Sequence, residues 1–419
     1  MSSMASAAPS SRQQQPTSRV LAVDLPFHVG EPVMIAGWVH RRRRLKSVSF
    51  LIVRDRTGLA QVVLTGPAAD ALDDLPEETV VQVDGLAIAN SQAPRGAEIT
   101  GAALTTLSGP AAAPPFGLYR PDVPVGLATI LDNAGVALRH PRLCAPFELA
   151  AAAVAGFRGY LDDAGFTEIH TPKIVGTATE SGANVFGIDY FGRKAFLAQS
   201  PQFYKQTMVG VFERVYEVGP VFRAEPHDTA RHLAEYTSLD AEFGFIADHH
   251  DVMNTLTGAL TGMLSAVEER ASDAVARLGI SLPSVPAAIP EIDFEHAQEL
   301  IAERTGTDPR GKPDLTPADE RWLSGWALRD YDSAFLFVTG YPAVKRPFYT
   351  HPDPTSPTAP AVSTCCSTAW NWSPAGNACT VTTTISLRWQ PAGRTRATTP
   401  ATSTCSPTAC HPTADSPSG

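Results

Sequence analysis

The chain lacks the features that define several specialised classes of protein. Its 419 residues contain no uninterrupted apolar run near the roughly 20 residues that a membrane-spanning helix needs, so we expect no membrane span. The opening segment MSSMASAAPSSRQQQPTS (1–18) has no apolar signal-peptide core and is predicted to be a disordered tail. Only one cysteine, Cys144, precedes residue 355, which excludes a disulfide framework there and favours a reducing, cytoplasmic setting.

Charged side chains almost disappear after residue 354. Residues 355–419 contain no Glu and no Lys, and Thr, Ala, Ser and Pro account for 42 of these 65 residues. Five of the six cysteines lie here without a C-x-x-C pair, so their spacing does not indicate a zinc site. We therefore predict a low-complexity, disordered tail over 355–419, separate in composition from the rest of the chain.

Five short strand-like segments occupy residues 19–107 and predict a small Greek-key barrel. The formal net charge of the chain is −10, yet basic residues cluster on the first predicted strand of this barrel. The cluster comprises Arg41, Arg42, Arg43, Arg44 and Lys46. Because a polyanion responds to the local field, this cluster and the neighbouring Phe50 indicate contact with single-stranded nucleic acid. A solvated turn with a buried phenylalanine is the alternative.

A segment rich in Pro, Ala and Gly, residues 108–136, is predicted to be a linker. Residues 137–354 then mix helical and strand-like patterns, which predicts an α+β domain. Within this domain TEIHTPKIV is predicted to be a strand that contains Pro172, which indicates an edge or an interface. A helix is predicted to start with Ser200 as its N-cap and Pro201 as its first residue.

One strand–loop–strand segment carries the pattern that most directly suggests chemistry. Arg223 and Glu225 end the first predicted strand, and the polar loop that follows contains Arg231 and His232. An arginine at a strand end opposite a basic loop suits a triphosphate, because its planar fork binds phosphate oxygens in a bidentate manner. Glu225 is placed to accept a hydrogen bond from a base amino group. An ordinary surface ion pair is the alternative for Arg223 and Glu225.

Four segments together resemble a known family, the class II aminoacyl-tRNA synthetases. They are TEIHTPKI, ATESGANVF, SPQFYKQ and FRAEPHDTARHLAEYTSLDAEF, in the order and spacing of that family. More narrowly, they resemble the aspartyl-tRNA synthetases of archaeal, non-discriminating type. The segment GEPVMIAGWVHRRRRLKSVSFLIVRDRTGLAQVV is similar to the anticodon-binding OB-fold barrel of these enzymes. The resemblance implies an OB-fold over 19–107 and a class II antiparallel-sheet catalytic domain over 137–354, with its C-terminal part missing.

The resemblance also implies a role for individual residues. Arg223 matches the arginine that grips the ATP α-phosphate and the substrate carboxylate, and Pro172 matches the motif 1 proline at a dimer interface. The implied ATP-binding residues are Arg223, Ala224, Glu225, Arg231, His232 and Leu233. The implied aspartate-binding residues are Glu180, Gln202, Phe203, Tyr204, Lys205 and Arg223. The implied tRNA-binding residues are Arg41, Arg42, Arg43, Arg44, Lys46 and Phe50. Glu180 would face the ammonium group of aspartate and Lys205 its side-chain carboxylate.

The reaction that the resemblance implies has two steps and needs no protein nucleophile. The aspartate carboxylate attacks the α-phosphorus of ATP, pyrophosphate leaves, and the terminal ribose hydroxyl of tRNA attacks the aspartyl-adenylate. ATP and Mg²⁺ are the implied cofactors, tRNA and L-aspartate the implied partners, and a homodimer the implied assembly. An asparaginyl-tRNA synthetase and a tRNA-binding module without catalysis remain alternatives. The number of tRNAs charged also stays open, with His40 and the turn at Gln92 as candidate contacts.

The last catalytic elements of the family are not found in residues 355–419. Three elements should follow RPFYTHPDP: motif 3 with its ATP-binding arginine, an acidic Mg²⁺ ligand, and an arginine for the substrate side chain. Since the acidic ligand is not found there, no metal ligand is assigned. A change of reading frame near residues 355–357 explains the abrupt change in composition, and a genuine extension is the alternative. Translation of the source DNA in the other two frames distinguishes these two explanations. Only a frame change requires that one of these frames encodes a segment like motif 3.

The missing motif predicts that this 419-residue chain is impaired as an enzyme. Aspartate-dependent ATP–pyrophosphate exchange should be negligible, because the motif 3 arginine and the acidic Mg²⁺ ligand are not there to stabilise charge on the phosphates. Binding of tRNA should persist and weaken as salt rises, because phosphate contacts release counterions. Exchange as fast as that of an intact aspartyl enzyme would contradict this prediction.

Overall fold

The computed structural model describes residues 18–45, 48–70, 72, 74–177, 185–224, 233–342, 344, 352–353, 356–360 and 363–367. The chain divides into two compact units, Met1–Phe147 and Glu148–Gly419. Among the described residues, no helix combines the length and the apolar character that crossing a membrane requires.

A closed five-stranded barrel forms most of the first unit. Its strands are β1 (Pro32–Arg44), β2 (Ser49–Asp55), β3 (Gly58–Leu64), β4 (Val80–Ala89) and β5 (Ala97–Thr106), with a short helix α1 (Pro67–Asp70) after β3. They follow one another around the barrel in the order β1-β2-β3-β5-β4. Alternate residues such as Ile35, Leu51 and Val62 point inward and form one apolar core, as the period of two along each strand requires. The predicted barrel is therefore confirmed.

A buried polar network lies behind the first strand of the barrel. His40 occupies a bulge in β1, where the pairing with β2 shifts by one residue. Arg54 donates two hydrogen bonds to Glu78, at 2.7 and 2.8 Å, and its Nη1 lies 3.2 Å from His40 Nδ1. Arg139 donates a further bond of 2.7 Å to Glu78. These charges are tolerated inside the unit because each one has a partner of opposite sign.

The predicted linker over 108–136 is folded in the structure. It contains two short helices, α2 (Leu127–Asp132) and α3 (Ala134–Ala137). Phe116, Leu118 and Ala137 are buried together in a small apolar core. The linker prediction gave most weight to proline and glycine, but proline restricts the chain without preventing burial of the apolar residues between the prolines.

The second unit combines helices with four small β-sheets in the part of the chain that is described. Its helices are α4 (Pro141–Asp163), which starts within the first unit, α5 (Gln202–Phe212), α6 (His250–Leu278), α7 (Phe294–Thr305) and α8 (Pro317–Tyr331). The strands before α7 are β6 (Thr167–Glu168), β7 (Ile174–Val175), β8 (Gly187–Tyr190), β9 (Arg193–Leu197), β10 (Arg214–Phe222), β11 (Glu235–Phe243) and β12 (Glu291–Asp293). The later strands are β13 (Phe335–Thr339), β14 (Pro352–Asp353), β15 (Ser356–Pro360) and β16 (Ser363–Ser367). The predicted α+β class is confirmed.

The antiparallel hairpin of β10 and β11 is supported by two long helices. Tyr216 and Phe243 from the hairpin pack with Phe157 of α4 and residues of α6 in one core. The helices α4 and α6 approach closely at Gly156, where an added Cβ would lie 2.2 Å from the carbonyl oxygen of Gly262. This close contact leaves no room for a side chain at Gly156, so the hairpin lies on a tightly packed helical layer.

The predicted strand around Pro172 is interrupted in the structure. β6 ends at Glu168 and β7 begins at Ile174, so the proline lies between two short strands. Proline has no N–H to donate to a ladder. The amide and hydroxyl of Thr171 instead donate to the buried carboxylate of Glu217, at 2.8 and 2.7 Å. The side-chain carboxylate therefore replaces a neighbouring strand as the hydrogen-bond partner.

The helix predicted to start after Ser200 begins one residue later than expected. Gln202 is the first residue of α5, Pro201 is the N-cap, and Ser200 Oγ accepts a hydrogen bond of 3.3 Å from the Gln202 amide. Ser200 therefore still satisfies one of the unpaired N–H groups of the first turn. A shift of one residue lies within the usual uncertainty of helix ends.

The tail predicted from composition, residues 355–419, contributes strands to the structure. β14 pairs with β15, and β16 pairs antiparallel with β13 from Phe335↔Ser367 to Thr339↔Ser363. The rest of this tail, and the opening segment 1–17, lies outside the described residues. Threonine and cysteine are compatible with a strand. Without β16, the edge of β13 opposite β12 would have unpaired backbone groups. Composition alone does not reveal this pairing.

The buried network makes the stability of the barrel depend on pH. Burial, and then the charge of Arg54, lower the pKa of His40 to about 4. Since a histidine in the unfolded chain titrates near about 6.5, the unfolded state binds more protons between these values. The free energy of unfolding should therefore fall by up to about 3 kcal/mol as the pH drops from 6.5 to 4. In His40→Gln, the free energy of unfolding measured with denaturant should no longer show this decrease between about pH 6.5 and about 4.

The matched control is His28→Gln, which changes an exposed histidine of the same unit. It should keep the pH dependence of the original chain. An equal pH dependence in His40→Gln would show that another group is responsible.

Candidate functional site

A buried ammonium group lies between α5 and β11. Lys205 is 0% exposed, and its Nζ lies 3.1 Å from Asp240 Oδ1 and 3.6 Å from Glu242 Oε2. Gln202, one helical turn earlier, donates from its Nε2 to the Glu242 carboxylate at 3.2 and 3.3 Å. The four side chains form one buried polar cluster, here called the α5–β11 cluster.

Helical and strand periodicity explain how these four residues meet. Residues three apart lie on one face of a helix, so Gln202 and Lys205 both point toward the hairpin. Residues two apart lie on one face of a strand, so Asp240 and Glu242 both point toward α5. The intervening Phe203 and Tyr204 are 40% and 37% exposed. The structure therefore does not bring these two predicted aspartate-binding residues into the cluster.

The electrostatics of the α5–β11 cluster are unbalanced. Burial raises the pKa of Glu242 to about 7, while Lys205 and the hydrogen bond from Gln202 oppose this rise. Two carboxylates therefore share one ammonium group, and a proton on Glu242 is the least costly way to balance the charge. A fixed ammonium and an amide in a buried setting are suited to recognise a small polar ligand through its carboxylate.

Arg223 directly follows β10, at the end of the hairpin where a loop joins β10 to β11. Its amide donates to the carbonyl of Ala234 at 2.9 Å, which extends the pairing of the two strands by one step. Its guanidinium carbon lies 5.8 Å from the ring centroid of Tyr236 on β11. An arginine held over an aromatic ring at a strand end suits the recognition of a phosphate or a carboxylate. Ala224 follows it, and Leu233 is 61% exposed.

Several predicted residues cannot be placed. Glu180, Glu225, Arg231, His232 and Lys46 lie outside the described residues. Of the predicted site residues that are described in the second unit, Gln202 and Lys205 belong to the α5–β11 cluster. The sequence analysis did not identify Asp240 and Glu242 as their partners. The spacing of two residues indicated that both carboxylates share one face of the strand, but their burial depends on α5 and could not be predicted from that spacing.

Residues around Pro172 form a second buried arrangement. Glu217 on β10 is 2% exposed and accepts from Thr171, and Lys173 Nζ lies 3.0 Å from its Oε1. The residues on both sides of Pro172 are therefore tied to one carboxylate. The proline itself is exposed at a fixed place on the surface, which suits a contact with another protein surface.

The basic cluster on the barrel is divided between two faces. Directly paired residues of antiparallel strands share a face. Arg41 pairs with Ile52, and Arg43 pairs with Phe50, whose side chain is partly exposed. The arginines at alternate positions point the other way and bind the segment around α1. Arg42 donates to the carbonyl of Leu72 at 2.7 Å, and Arg44 lies 2.9 Å from Asp70.

The outer face of the barrel also contains residues that the sequence analysis missed. Gln61 of β3 pairs with Ile52 and donates from its Nε2 to Glu98 at 2.8 Å. An amide and a carboxylate beside a partly exposed aromatic are suited to read the edge of an unstacked base. By contrast His40 is 5% exposed and lies in the buried network, so its side chain is not part of this face.

One group of possible metal ligands occurs among the described residues. Asp248, His249 and His250 offer donor atoms within 4.8 Å of one another at the start of α6. Asp248 and His250 are more than half exposed and bind each other at 3.1 Å. This group lies at the start of α6, whereas Arg223 and the α5–β11 cluster lie on other elements. Among the described residues, no hydrogen bond or ion pair given above joins this group to Arg223 or to that cluster.

Comparisons with known proteins match both units. A family model described as tRNA synthetases class II (D, K and N) matches residues 127–372, and one described as OB-fold nucleic acid binding domain matches residues 33–106. The Aspartate–tRNA(Asp/Asn) ligase of Thermus thermophilus is 45% identical over 336 residues, which are 80% of this chain and 78% of the relative. The ligase of the same name from Deinococcus radiodurans is 44% identical over 341 residues, 81% of this chain and 76% of the relative.

A solved structure shares the fold. Asparaginyl-tRNA synthetase from Pyrococcus horikoshii, complexed with asparaginyl-adenylate, superposes with a TM-score of 0.76 at 27% identity. The match covers 83% of this chain and 80% of that chain.

The α5–β11 cluster predicts the effect of removing its cation. Lys205→Met should lower the free energy of unfolding by about 3–5 kcal/mol, because it leaves two buried carboxylates without a counter-charge. The loss should be larger at pH 8 than at pH 6, because burial raises the pKa of Glu242 to about 7 and this carboxylate takes up a proton at the lower pH. Thermal denaturation at both pH values measures this difference. Lys194→Met, which changes an exposed lysine, should have little effect at either pH.

Proposed function

The chain belongs to the class II tRNA synthetases of the D, K and N group, and on this premise we propose that it is an aspartate–tRNA ligase. It activates aspartate with ATP and transfers the aspartyl group to tRNA. The family predicted from the motifs is confirmed by these matches. Both relatives are named as ligases for tRNA(Asp/Asn), and we extend this pair of tRNAs to the present chain.

The observation that carries the choice of aspartate is the buried position of Lys205. Asp240 and Glu242 pair with its ammonium group and fix its direction. In this proposal the buried cation binds the side-chain carboxylate of aspartate more strongly than the neutral amide of asparagine, because only the carboxylate carries a full negative charge. Gln202 lies beside it and adds an amide that can donate or accept a hydrogen bond.

Arg223 is placed to act on the other end of the substrate. Its guanidinium can hold a phosphate oxygen and the α-carboxylate together, which brings the attacking oxygen close to the α-phosphorus. The same contact neutralises charge that develops on the phosphate as pyrophosphate leaves. Since both reactants are held in place and no covalent enzyme intermediate forms, this positioning is the main contribution of the residue.

We propose ATP and Mg²⁺ as the cofactors. The guanidinium of Arg223 fits the phosphate chemistry of ATP, and Glu225, Arg231 and His232 are proposed to contact the base and the outer phosphates. The resemblance implies an acidic Mg²⁺ ligand after residue 354, but residues 355–419 contain no Glu and a single Asp. No step is therefore assigned to the ion.

The barrel is proposed to bind the anticodon. Single-stranded RNA is recognised through unstacked bases that lie on aromatic side chains and present their edges to polar groups. Phe50 and Gln61 occupy neighbouring rows of the outer face, and Arg43 lies directly beside Phe50. Arg43 can therefore bind a phosphate of a strand whose base stacks on Phe50.

A homodimer is proposed around Pro172. Thr171 and Lys173 fix the backbone on both sides of the proline through Glu217. A rigid, exposed segment loses little conformational entropy when a second copy of the chain packs on it.

A chimera tests the proposed activity despite the composition of residues 355–419. Residues 1–354 of this chain are joined to the C-terminal segment of the Thermus thermophilus ligase. Aspartate-dependent ATP–pyrophosphate exchange should rise at least about 100-fold over the 419-residue chain, because the missing phosphate contacts are restored. Lys205→Met in the chimera should lose most of this gain, whereas Lys194→Met should keep it.

The amino acid used in the exchange assay decides between the candidate functions. Faster exchange with asparagine than with aspartate would indicate an asparaginyl enzyme. A correctly folded chimera without exchange for either amino acid would overturn the assignment as an aspartate–tRNA ligase.

A further inference from the structure

The outer face of the barrel continues beyond its first strand. Arg41, Ile52, Gln61 and Glu98 form one row across β1, β2, β3 and β5, as the strand pairings show. Tyr119, from the segment between the barrel and α2, adds a residue at the β1 end of this row. The guanidinium carbon of Arg41 lies 4.4 Å from the centroid of the Tyr119 ring.

Tyr119 is fixed by the residues that precede it. Leu118 is 1% exposed and Phe116 is 8% exposed, and both belong to the small apolar core of the first unit. The ring of Tyr119 is anchored next to these buried neighbours but is itself 37% exposed. It therefore provides a platform at the surface whose position does not depend on a flexible loop.

The contact with Tyr119 matters for Arg41 because this residue lies where β1 has a strand partner on one side only. β1 pairs with β4 only as far as Trp38, so in the described residues the next part of β1 pairs with β2 alone. The neighbours Arg42 and Arg44 are held by the α1 segment on the other face. The contact with Tyr119 holds Arg41 on the face of Phe50 instead.

A stacked arginine keeps its hydrogen-bonding edge available. The face of the planar guanidinium contacts the ring, while its N–H groups point outward along the edge and can bind phosphate oxygens in a bidentate manner. Arg41 and Arg43 are two residues apart, about 7 Å along the strand. The RNA strand whose base stacks on Phe50 can therefore reach both arginines with its backbone.

We infer that Tyr119 belongs to the tRNA-binding surface, as the residue that positions Arg41 against a phosphate of the bound RNA strand. The inference rests on the proposed binding of tRNA by the barrel. It adds Tyr119, a residue of the predicted linker, to that surface. It also gives different roles to the four consecutive arginines of β1. Arg41 and Arg43 contact the RNA, whereas Arg42 and Arg44 hold the barrel to the α1 segment.

The test measures the affinity of the full 419-residue chain for tRNA over a series of salt concentrations. Arg41→Ala should weaken binding and reduce the slope of log K against log salt by about 0.7–0.9, the value for one phosphate contact. Tyr119→Leu keeps an apolar side chain but removes the aromatic face, and it should reduce the slope in the same way. Tyr119→Phe keeps the ring and should retain the original slope and affinity.

The double variant tests whether the two residues act as one unit. Arg41→Ala with Tyr119→Leu should bind no more weakly than Arg41→Ala alone, because the platform has no function without the arginine. Additive losses would contradict the inference, as would an unchanged slope in Tyr119→Leu. Arg310→Ala is the control and should leave the slope unchanged, because it removes an exposed arginine of the second unit that is paired with Asp308.

Two outcomes separate this inference from the proposed function. If the unmodified chain shows no salt-dependent binding of tRNA, the proposed function of the barrel fails. If the unmodified chain binds and Arg41→Ala reduces the slope while Tyr119→Leu does not, only the role of Tyr119 fails. Circular dichroism and thermal denaturation establish that each variant is folded, and Tyr119→Phe and Arg41→Ala test the inference even if Tyr119→Leu unfolds.

Discussion

The catalytic unit depends on one buried charge, the ammonium group of Lys205. It allows α5 to pack on the β10–β11 hairpin, because Asp240 and Glu242 would otherwise be buried without a counter-charge. This pairing requires two periodicities. The helical period places Gln202 and Lys205 on one face of α5, and the strand period places the two carboxylates on one face of β11. The same contacts fix the direction of the cation, so the packing of the hairpin and the proposed recognition of the substrate share one interaction.

The raised pKa of Glu242 bears on the prediction that residues 355–419 lack the last catalytic elements of the family. Two carboxylates face one ammonium, so the cluster is short of one positive charge when Glu242 is ionised. The resemblance implies an arginine for the substrate side chain after residue 354, and a second cation of this kind would lower the pKa of Glu242. If this arginine is absent as predicted, the proposed binding of anionic aspartate should be weakened as well as that of ATP.

The sequence allowed accurate prediction where one local pattern decides the structure. The barrel strands and the two strands of the β10–β11 hairpin follow from periodicity alone. The break at Pro172 depends on Glu217, which is distant in sequence and replaces a strand partner. The folding of residues 108–136 depends on a core formed with α3, and the pairing of β16 depends on the open edge of β13. These three features are tertiary, so no window of the sequence contains them.

The division of the arginine cluster has a similar origin. A stretch of four arginines does not reveal which of them face the nucleic acid, because a strand turns alternate side chains to opposite faces. The bulge at His40 shifts the pairing by one residue, so that Arg43 rather than Arg42 lies opposite Phe50. His40 is held at this bulge by Arg54, which Glu78 fixes in turn. The buried network behind the strand therefore helps to determine which arginines lie on the outer face that we propose to bind RNA, although its own side chains do not belong to that face.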